Sequence, residues 1–451
     1  PEKKTMDYFH IDVDSINVSI RNISFDGEEI KGYMDNLYAI EKSGFKVDKL
    51  TSKSPFVLSS KGLDFKNMRV ESHATSLDLD LQFVYNDYRS YIKFVDSIMI
   101  VANIRPSQLT LSDLKYFAPE MEMMNDTLQI GGSIYGCVRD FTASKFNFSF
   151  KDSTSFVGTI KMKGLPDFFE THIAGKVDKM YFTYQDISEF AIPTESGKIP
   201  LPETLSSLKY ALLSGEFYGF HNNFNTSFNL FTNLGNINMN GALNNDTRIV
   251  ALPYYFAKIH ANNMNIGDIL GVEDYMVISF STDMEGEGLT KKDADLDITF
   301  DVDKLKIKGN EFKDFIVEGC LENQRFLATT NMKSNIIGLD LNGMMDISAE
   351  IPSFDIDINV ENADLYRLHL LDNDKKMLLS TNVKANFKGV DLDKMYGRVV
   401  FDNTSYSDSR GNYFMDSLNV TISENHFDSK DISVKCDFFD ADVNGIVNFK
   451  G

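Results

Sequence analysis

Apolar and polar residues alternate with a period of two through most of the chain. Successive side chains of a strand point to opposite faces of a sheet, so this period predicts strands with one apolar and one wet face. Asp and Asn are poor strand formers, and their repeated use at the polar positions indicates that this face contacts water. The alternation is clearest in residues 77–83, 146–150, 295–302 and 354–360.

Helical signals are few and short, the best candidates being residues 112–117, 185–190 and 202–213. Antiparallel sheets tolerate a solvated face, whereas parallel sheets are usually covered on both faces. We therefore predict an all-β fold, a long curled antiparallel β-sheet with a few short helices. At roughly 11–12 residues per strand and turn, the chain could hold roughly 35–40 strands.

Three motifs recur along the chain. In the first, a strand leads into a one-turn helix, and its copies align Asp113, Asp186, Asp268 and Asp364. In the second, a Gly precedes a Phe by three residues and an acid or amide follows, as in residues 62–70, 309–317 and 411–419. The third motif is an Asn-Gly step after an alternating segment, which suits a tight hairpin turn. Its copies are Asn240-Gly241, Asn342-Gly343 and Asn444-Gly445.

These repeats predict one elongated array rather than separate domains. The approximate modules are residues 1–117, 118–190, 191–271, 272–371 and 372–451, and the last copy stops in mid-module. A single module would leave its apolar face exposed, so neighbouring modules must stack. Because the chain also starts at Pro1 rather than Met, we expect it to be part of a longer protein.

Composition narrows the function classes. The 451 residues carry 45 Lys and Arg against 66 Asp and Glu, a formal charge of −21. This acidity argues against nucleic-acid binding and against adsorption to an anionic bilayer. The most apolar short stretch, residues 98–104, is far below the roughly 18 residues that span a bilayer. Phe is abundant with 36 residues and Trp is absent, which suits a continuous apolar trough.

No motif indicates catalysis, and we expect neither enzymatic activity nor a cofactor or metal. The seven histidines lack metal-ligand spacing, and residues 131–136 have the wrong spacing for a nucleophile elbow. We interpret residues 131–136 as a hairpin turn entering a strand. Residues 440–445 match half of an EF-hand loop, but Gly451 occupies the position of the bidentate Glu, so the alternation favours a strand. The three cysteines (Cys137, Cys320 and Cys436) give no disulfide framework and are interpreted as small packing residues.

The order of these segments resembles the AsmA-like superfamily, in particular TamB-like proteins of Bacteroidetes-type bacteria. The resemblance extends over most of the chain and rests on residues 41–50, 62–70, 109–120, 125–128, 164–167, 201–203 and 362–365. It implies a periplasmic β-groove, or β-taco, in a Gram-negative bacterium. It also implies an inner-membrane anchor and a C-terminal domain that meets an outer-membrane barrel of the BamA/TamA type, both outside this sequence. Such proteins are implicated in moving phospholipid between membranes and in assembling outer-membrane proteins.

We therefore predict a bridge-like phospholipid conduit whose groove is lined by apolar strand positions. These are Leu77, Leu79, Leu81, Phe83, Phe146, Phe148, Phe150, Leu296, Ile298, Phe300, Phe354, Ile356 and Ile358. A second hypothesis is a scaffold or chaperone for outer-membrane strands that works through β-augmentation. The third is an adhesin or carbohydrate enzyme, against which the absence of Trp weighs.

Overall fold

A computed structural model gives the fold, and it is all-β, as the alternation predicts. It describes residues 12–116, 119–151, 153–190, 198–199, 201–271, 276–371, 377–390, 395–424 and 430–445. The chain divides into two compact units, Pro1–Asn233 and Leu234–Gly451. The five modules predicted above are finer than this division and stay a prediction.

The first unit holds thirteen of the 26 described strands, most of them ten or more residues long. They are β1 Val13–Asp26, β2 Glu29–Glu41, β3 Lys46–Ser52, β4 Phe56–Ser59, β5 Gly62–Ser72, β6 Thr75–Val84, β7 Met99–Thr110, β8 Thr127–Cys137, β9 Asp140–Phe150, β10 Thr154–Lys163, β11 His172–Phe182, β12 Ala211–Phe220 and β13 Asn223–Thr232. Two short α-helices are α1 Phe94–Ser97 and α2 Tyr184–Glu189. Single 3-10 turns are Tyr88–Lys93, Leu111–Tyr116, Pro119–Met123 and Glu203–Ser207.

The second unit has the same character, with thirteen strands and one short helix in its described part. The strands are β14 Gly235–Asn244, β15 Tyr254–Asn265, β16 Met276–Glu287, β17 Asp295–Ile307, β18 Asn310–Glu322, β19 Arg325–Lys333, β20 Gly338–Asp346, β21 Ser353–Asp364, β22 Leu378–Lys388, β23 Tyr396–Ser407, β24 Asn412–Glu424, β25 Lys430–Cys436 and β26 Asp440–Gly445. The helix is α3 Ile266–Leu270.

Within each unit, strands that follow one another along the chain pair antiparallel. From β5 to β13 and from β14 to β26 the ladders follow chain order. One exception is near the start, where β3 and β4 share the space between β2 and β5. The antiparallel prediction is thus confirmed, whereas the expected 35–40 strands are too many because the strands are longer than assumed.

Residues with positive φ inside strands explain the second repeated motif. Asn67 in β5 (φ 53°) and Asp314 in β18 (φ 55°) occupy the acid-or-amide position of the motif. Short polar side chains tolerate this left-handed backbone best. In each copy the preceding Phe, Phe65 or Phe312, is buried. Such kinks increase local twist, which is the change that bending a sheet requires. The third copy departs, because Phe414 is 77% exposed.

Several local sequence predictions are wrong. Asn240-Gly241 and Asn342-Gly343 lie inside β14 and β20, and Asn444-Gly445 ends β26, so none of the three is a hairpin turn. Residues 131–136 lie inside β8, as strand rather than turn. The helical candidates at residues 112–117 and 185–190 are confirmed to within one residue, with Phe117 outside the described residues. The candidate at residues 202–213 is a 3-10 turn followed by the start of β12.

In each unit, the strands begin and end along two opposite sides of the sheet, and these two sides differ in the segments that connect the strands. We call the side at which β7, β11, β15 and β21 end the cap side, and the opposite side the loop side. Copies of the first repeated motif all lie on the cap side. Two of the copies make the same kind of hydrogen bond. Thr75 Oγ1 donates to Asp113 Oδ2 at 2.6 Å, and Thr154 Oγ1 donates to Asp186 Oδ2 at 2.9 Å. The aligned aspartates of these two copies therefore tie a helical turn to the start of a neighbouring strand.

Loss of that tie should destabilise the first unit. Thr154 and Asp186 are both buried, so Thr154→Val leaves a buried carboxylate without its hydroxyl donor at nearly constant volume. We expect a loss of about 1–3 kcal/mol, measured as a lower urea midpoint. The control is Thr142→Val in β9, a partly buried position whose hydroxyl has no side-chain hydrogen-bond partner among the described residues. An unchanged midpoint in Thr154→Val would contradict the role of the tie.

Close backbone packing at Gly136 gives a second prediction. Gly136 has φ 136°, and a Cβ there would lie 2.2 Å from the carbonyl oxygen of Asp140. Gly136→Ala should therefore lower the urea midpoint strongly, by roughly 2 kcal/mol or more in unfolding free energy. Gly175→Ala in β11 is the matched control, because the nearest atom to its Cβ would be 4.0 Å away. Equal midpoints for the two variants would contradict this account.

Candidate functional site: the apolar face of the sheet

In the second unit, the predicted groove residues fall on the same three rows of the sheet. Leu296 on β17 connects through Leu321, Phe326 and Met345 to Phe354 on β21. Ile298 connects to Ile356, and Phe300 connects to Ile358, across the same three intervening strands. Four strand-to-strand steps of about 4.8 Å place the predicted residues of β17 about 19 Å from those of β21 on one face. The residues between Ile298 and Ile356 are small: Gly319, Ala328 and Gly343.

In the first unit, the predicted residues on β6 and β9 belong to one continuous apolar surface. Leu81 on β6 is opposite Ala102, whose row continues through Ile134 to Ala143 on β9. Leu77 packs into the cluster that also contains Phe148 and Phe150. The rings of Phe148 and Phe156 stack with centroids 5.0 Å apart. The structure thus brings the β6 and β9 residues onto a shared face.

Most of this face is only partly covered. Of the thirteen predicted lining residues, Leu79 and Phe150 are buried, and the other eleven keep partial exposure. Central residues of a sandwich would be buried by the second sheet. Strict alternation with incomplete burial is therefore what a single sheet with an accessible apolar face gives.

Burial concentrates at two places. Side chains of β2, β4, β5, β6 and β7 form one buried cluster, with Met68 only 2% exposed. The other buried clusters lie on the cap side, where the helical turns and loops pack against the ends of the strands. These are centred on Leu111 and Phe150 in the first unit, and on Ile336 and Leu365 in the second.

The opposite face is polar, as the alternation predicts. Asp295, Asp297, Asp355 and Asp357 are all exposed there. Asp80 accepts hydrogen bonds from the Asn67 backbone N–H at 2.7 Å and from Arg105, and the first of these contributes most to lowering the pKa of its carboxyl. The carboxylate pairs are thus features of a solvated face. Cys320 also lies on this face, next to Asp297, and burial raises the pKa of its thiol.

Burial also perturbs a group of tyrosines on the loop side of the first unit. Tyr85 donates to the Ser59 carbonyl oxygen at 3.0 Å, and its ring lies 5.1 Å from that of Tyr91. Burial raises the pKa of both hydroxyls. With Phe94 packed on Phe83, this group covers the loop-side end of the apolar face near β6.

Pattern reading missed lining residues of two kinds. Phe65 and Met68 are three residues apart but share the face, because the irregularity at Asn67 shifts the register between them. Thr282 and Thr330 are polar by residue type, yet they stand in apolar rows opposite Phe300 and Val317. An Asn or Asp that interrupts an alternating segment is the sequence signal that would have found the first kind.

The described residues contain neither a metal-binding cluster nor a membrane-spanning helix. Among the described residues, no group of three or more His, Cys, Asp or Glu could hold a metal ion. No helix in this part of the chain is long and apolar enough to cross a membrane. Residues 440–445 form β26, in agreement with the alternation.

Comparisons with known proteins yield no relatives. The chain matches no protein-family model, no curated protein and no solved structure. The resemblance to AsmA-like proteins therefore stays a prediction from the sequence.

Proposed function

We propose that the protein carries phospholipid acyl chains along the apolar face of its sheet. The observation that carries this proposal is the partly exposed face, whose rows in the second unit run from Leu296, Ile298 and Phe300 to Phe354, Ile356 and Ile358. Burying apolar surface contributes about 25 cal/mol per Å². A long apolar face can therefore hold acyl chains without a pocket for one particular lipid.

The resemblance to TamB-like proteins adds the cellular setting to this proposal. The setting is the periplasm of a Gram-negative bacterium, with an inner-membrane anchor and an outer-membrane barrel partner of the BamA/TamA type. In that setting the apolar face is a bridge for phospholipid between the two membranes. Nothing in the described residues resembles an energy-converting site. We therefore propose that a concentration gradient of phospholipid, or a partner protein, drives the transport of lipid.

A charge placed on the apolar face should remove bound lipid. We expect Ile298→Asp to lower the phospholipid that copurifies with the detergent-free protein at least about tenfold, because a carboxylate in contact with acyl chains is strongly unfavourable. Thr299→Asp is the matched control, since Thr299 neighbours Ile298 but is exposed on the polar face. Mass spectrometry of extracted lipid measures the effect, and circular dichroism checks the fold. Lipid retained in folded Ile298→Asp, or absent from the wild-type protein, would contradict the proposal.

A second candidate function, a scaffold for outer-membrane strands, is favoured by β1. This strand of 14 residues pairs with β2 along one edge and has no other strand partner among the described residues. It contains no Pro, and Ile16, Val18 and Phe25 are 65%, 44% and 77% exposed. Edge strands of natural proteins usually carry protection against further pairing. In β1 this protection consists of irregularities such as the one at Asn22 (φ 53°) and of charged residues such as Asp14 and Arg21, and its exposed apolar residues still fit the addition of a client strand.

Photo-crosslinking distinguishes this candidate from the lipid conduit. A benzoyl-phenylalanine at Val18 should crosslink an unfolded outer-membrane β-barrel polypeptide, because that strand can extend the ladder at β1. The control position is Val157, which is 43% exposed but lies on β10 between two paired strands. Equal crosslinking at the two positions would argue against strand addition at β1.

A further inference from the structure

Two pairs of loops on the loop side of the second unit share one arrangement. The Gly288 backbone N–H donates to the Pro253 carbonyl oxygen at 2.8 Å, and the Gly389 N–H donates to the Pro352 carbonyl oxygen at 3.0 Å. In both cases the proline directly precedes a strand, β15 or β21, and the glycine directly follows the next strand, β16 or β22. The positive φ of Gly288 (72°) and Gly389 (100°) makes the sharp change of direction possible.

Each of these hydrogen bonds joins two chain segments that carry an exposed apolar residue next to the bonded one. Leu252 precedes Pro253 and Leu289 follows Gly288, and they are 40% and 57% exposed. In the other pair, Ile351 is 51% and Val390 is 80% exposed. Single exposed apolar residues are common on protein surfaces and need no explanation. Two pairs held by the same backbone bond at the same side of one sheet are a structural repeat.

The position of the pairs connects them to the apolar face. The buried clusters of this unit, around Phe312, Ile336, Leu365 and Met377, all lie on the cap side. No buried cluster of described residues closes the loop side of this unit. The row that begins at Leu296 and ends at Phe354 is the apolar row nearest to the four tips. The tips thus lie at the strand ends next to this row, on the side that no buried cluster of described residues closes.

Charged residues of both signs flank the tips. Exposed Lys291 and Lys292 follow Leu289 closely and exposed Lys388 lies two residues before Val390, while exposed Glu287 precedes Leu289 and exposed Glu350 precedes Ile351. An ammonium beside an apolar side chain matches a phosphate attached to acyl chains.

We propose that the paired tips, Leu252 with Leu289 and Ile351 with Val390, form the rim across which individual phospholipids reach and leave the apolar face. This inference rests on the proposed function and adds the route by which the lipid arrives. The cap side is closed by packed side chains, so the exchange takes place on the loop side.

Loading kinetics test the rim separately from the face. The probe is a pyrene-labelled phospholipid in vesicles of phosphatidylethanolamine and phosphatidylglycerol. The variants are Leu252→Ser with Leu289→Ser, and Ile351→Ser with Val390→Ser, which leave the prolines and glycines unchanged. We expect each double variant to load about five- to tenfold more slowly, since apolar contact area of two side chains is lost, while the lipid bound at saturation stays at the wild-type level.

The matched control is Ile316→Ser with Leu327→Ser, because these side chains are 50% and 44% exposed on the polar face. Wild-type loading rates in both rim variants, or an equally slow loading in the control, would contradict the proposal that lipid crosses the rim. A benzophenone side chain at position 289 or 390 should also form lipid adducts, and exclusive crosslinks to a second copy of the chain would overturn it as well. If the wild-type protein binds no lipid and Ile298→Asp changes nothing, the proposed function itself fails and the rim fails with it.

Discussion

Covering one apolar face of a sheet is the requirement on which this structure depends. Antiparallel ladders satisfy the backbone polar groups of almost every strand, but they leave all apolar side chains of the alternation on one face of the sheet. The described helices are four to six residues long, too short to form a second layer over that side. The chain instead packs the face locally: in a cluster across β2–β7, and in smaller clusters where cap-side turns meet strand ends. Between these clusters most of the predicted lining residues remain partly exposed.

The polar face follows from the same requirement. No second layer covers the polar face, so this face must be hydrated. Carboxylates hydrate it, at the cost of some repulsion between like charges. Glu285 lies directly opposite Asp297, and Glu287 lies opposite Asp295. Like charges at such positions are mildly destabilising, but water and salt screen them. These carboxylates keep the polar face hydrated and discourage contact between sheets.

The sequence predicts faces better than it predicts irregularities. Period-two alternation identifies which residues share a face of the sheet. The rows from Leu296 to Phe354 and from Ile298 to Ile356 confirm this assignment of faces. It fails where backbone geometry decides. Asn-Gly is favoured in type I′ turns, yet Asn342-Gly343 lies inside β20, where a Cβ at position 343 would meet only ordinary contacts, the nearest at 3.7 Å. Asn67 shifts the alternation by one residue and so hides Met68 from a strict period-two pattern, although the Asn that interrupts the pattern marks the place.

The same alternation gives two different outcomes, and the difference lies in what covers the face. Around Met68 and Phe65, the neighbouring strands supply enough side-chain volume to exclude water, and burial there is nearly complete. Around Ile298 and Ile356, the row between them contains Gly319, Ala328 and Gly343, which supply little volume. At Gly319 the side chains of Ile298 and Phe326 already lie 2.9 Å and 3.1 Å from the place of a Cβ, whereas a Cβ at Gly343 would meet no atom closer than 3.7 Å, so the space over this row is open at Gly343. Small residues leave a shallow apolar surface whose exposure costs free energy in proportion to its area. The acyl chain proposed to lie across this row would recover that free energy, which is the physical basis of the proposed function.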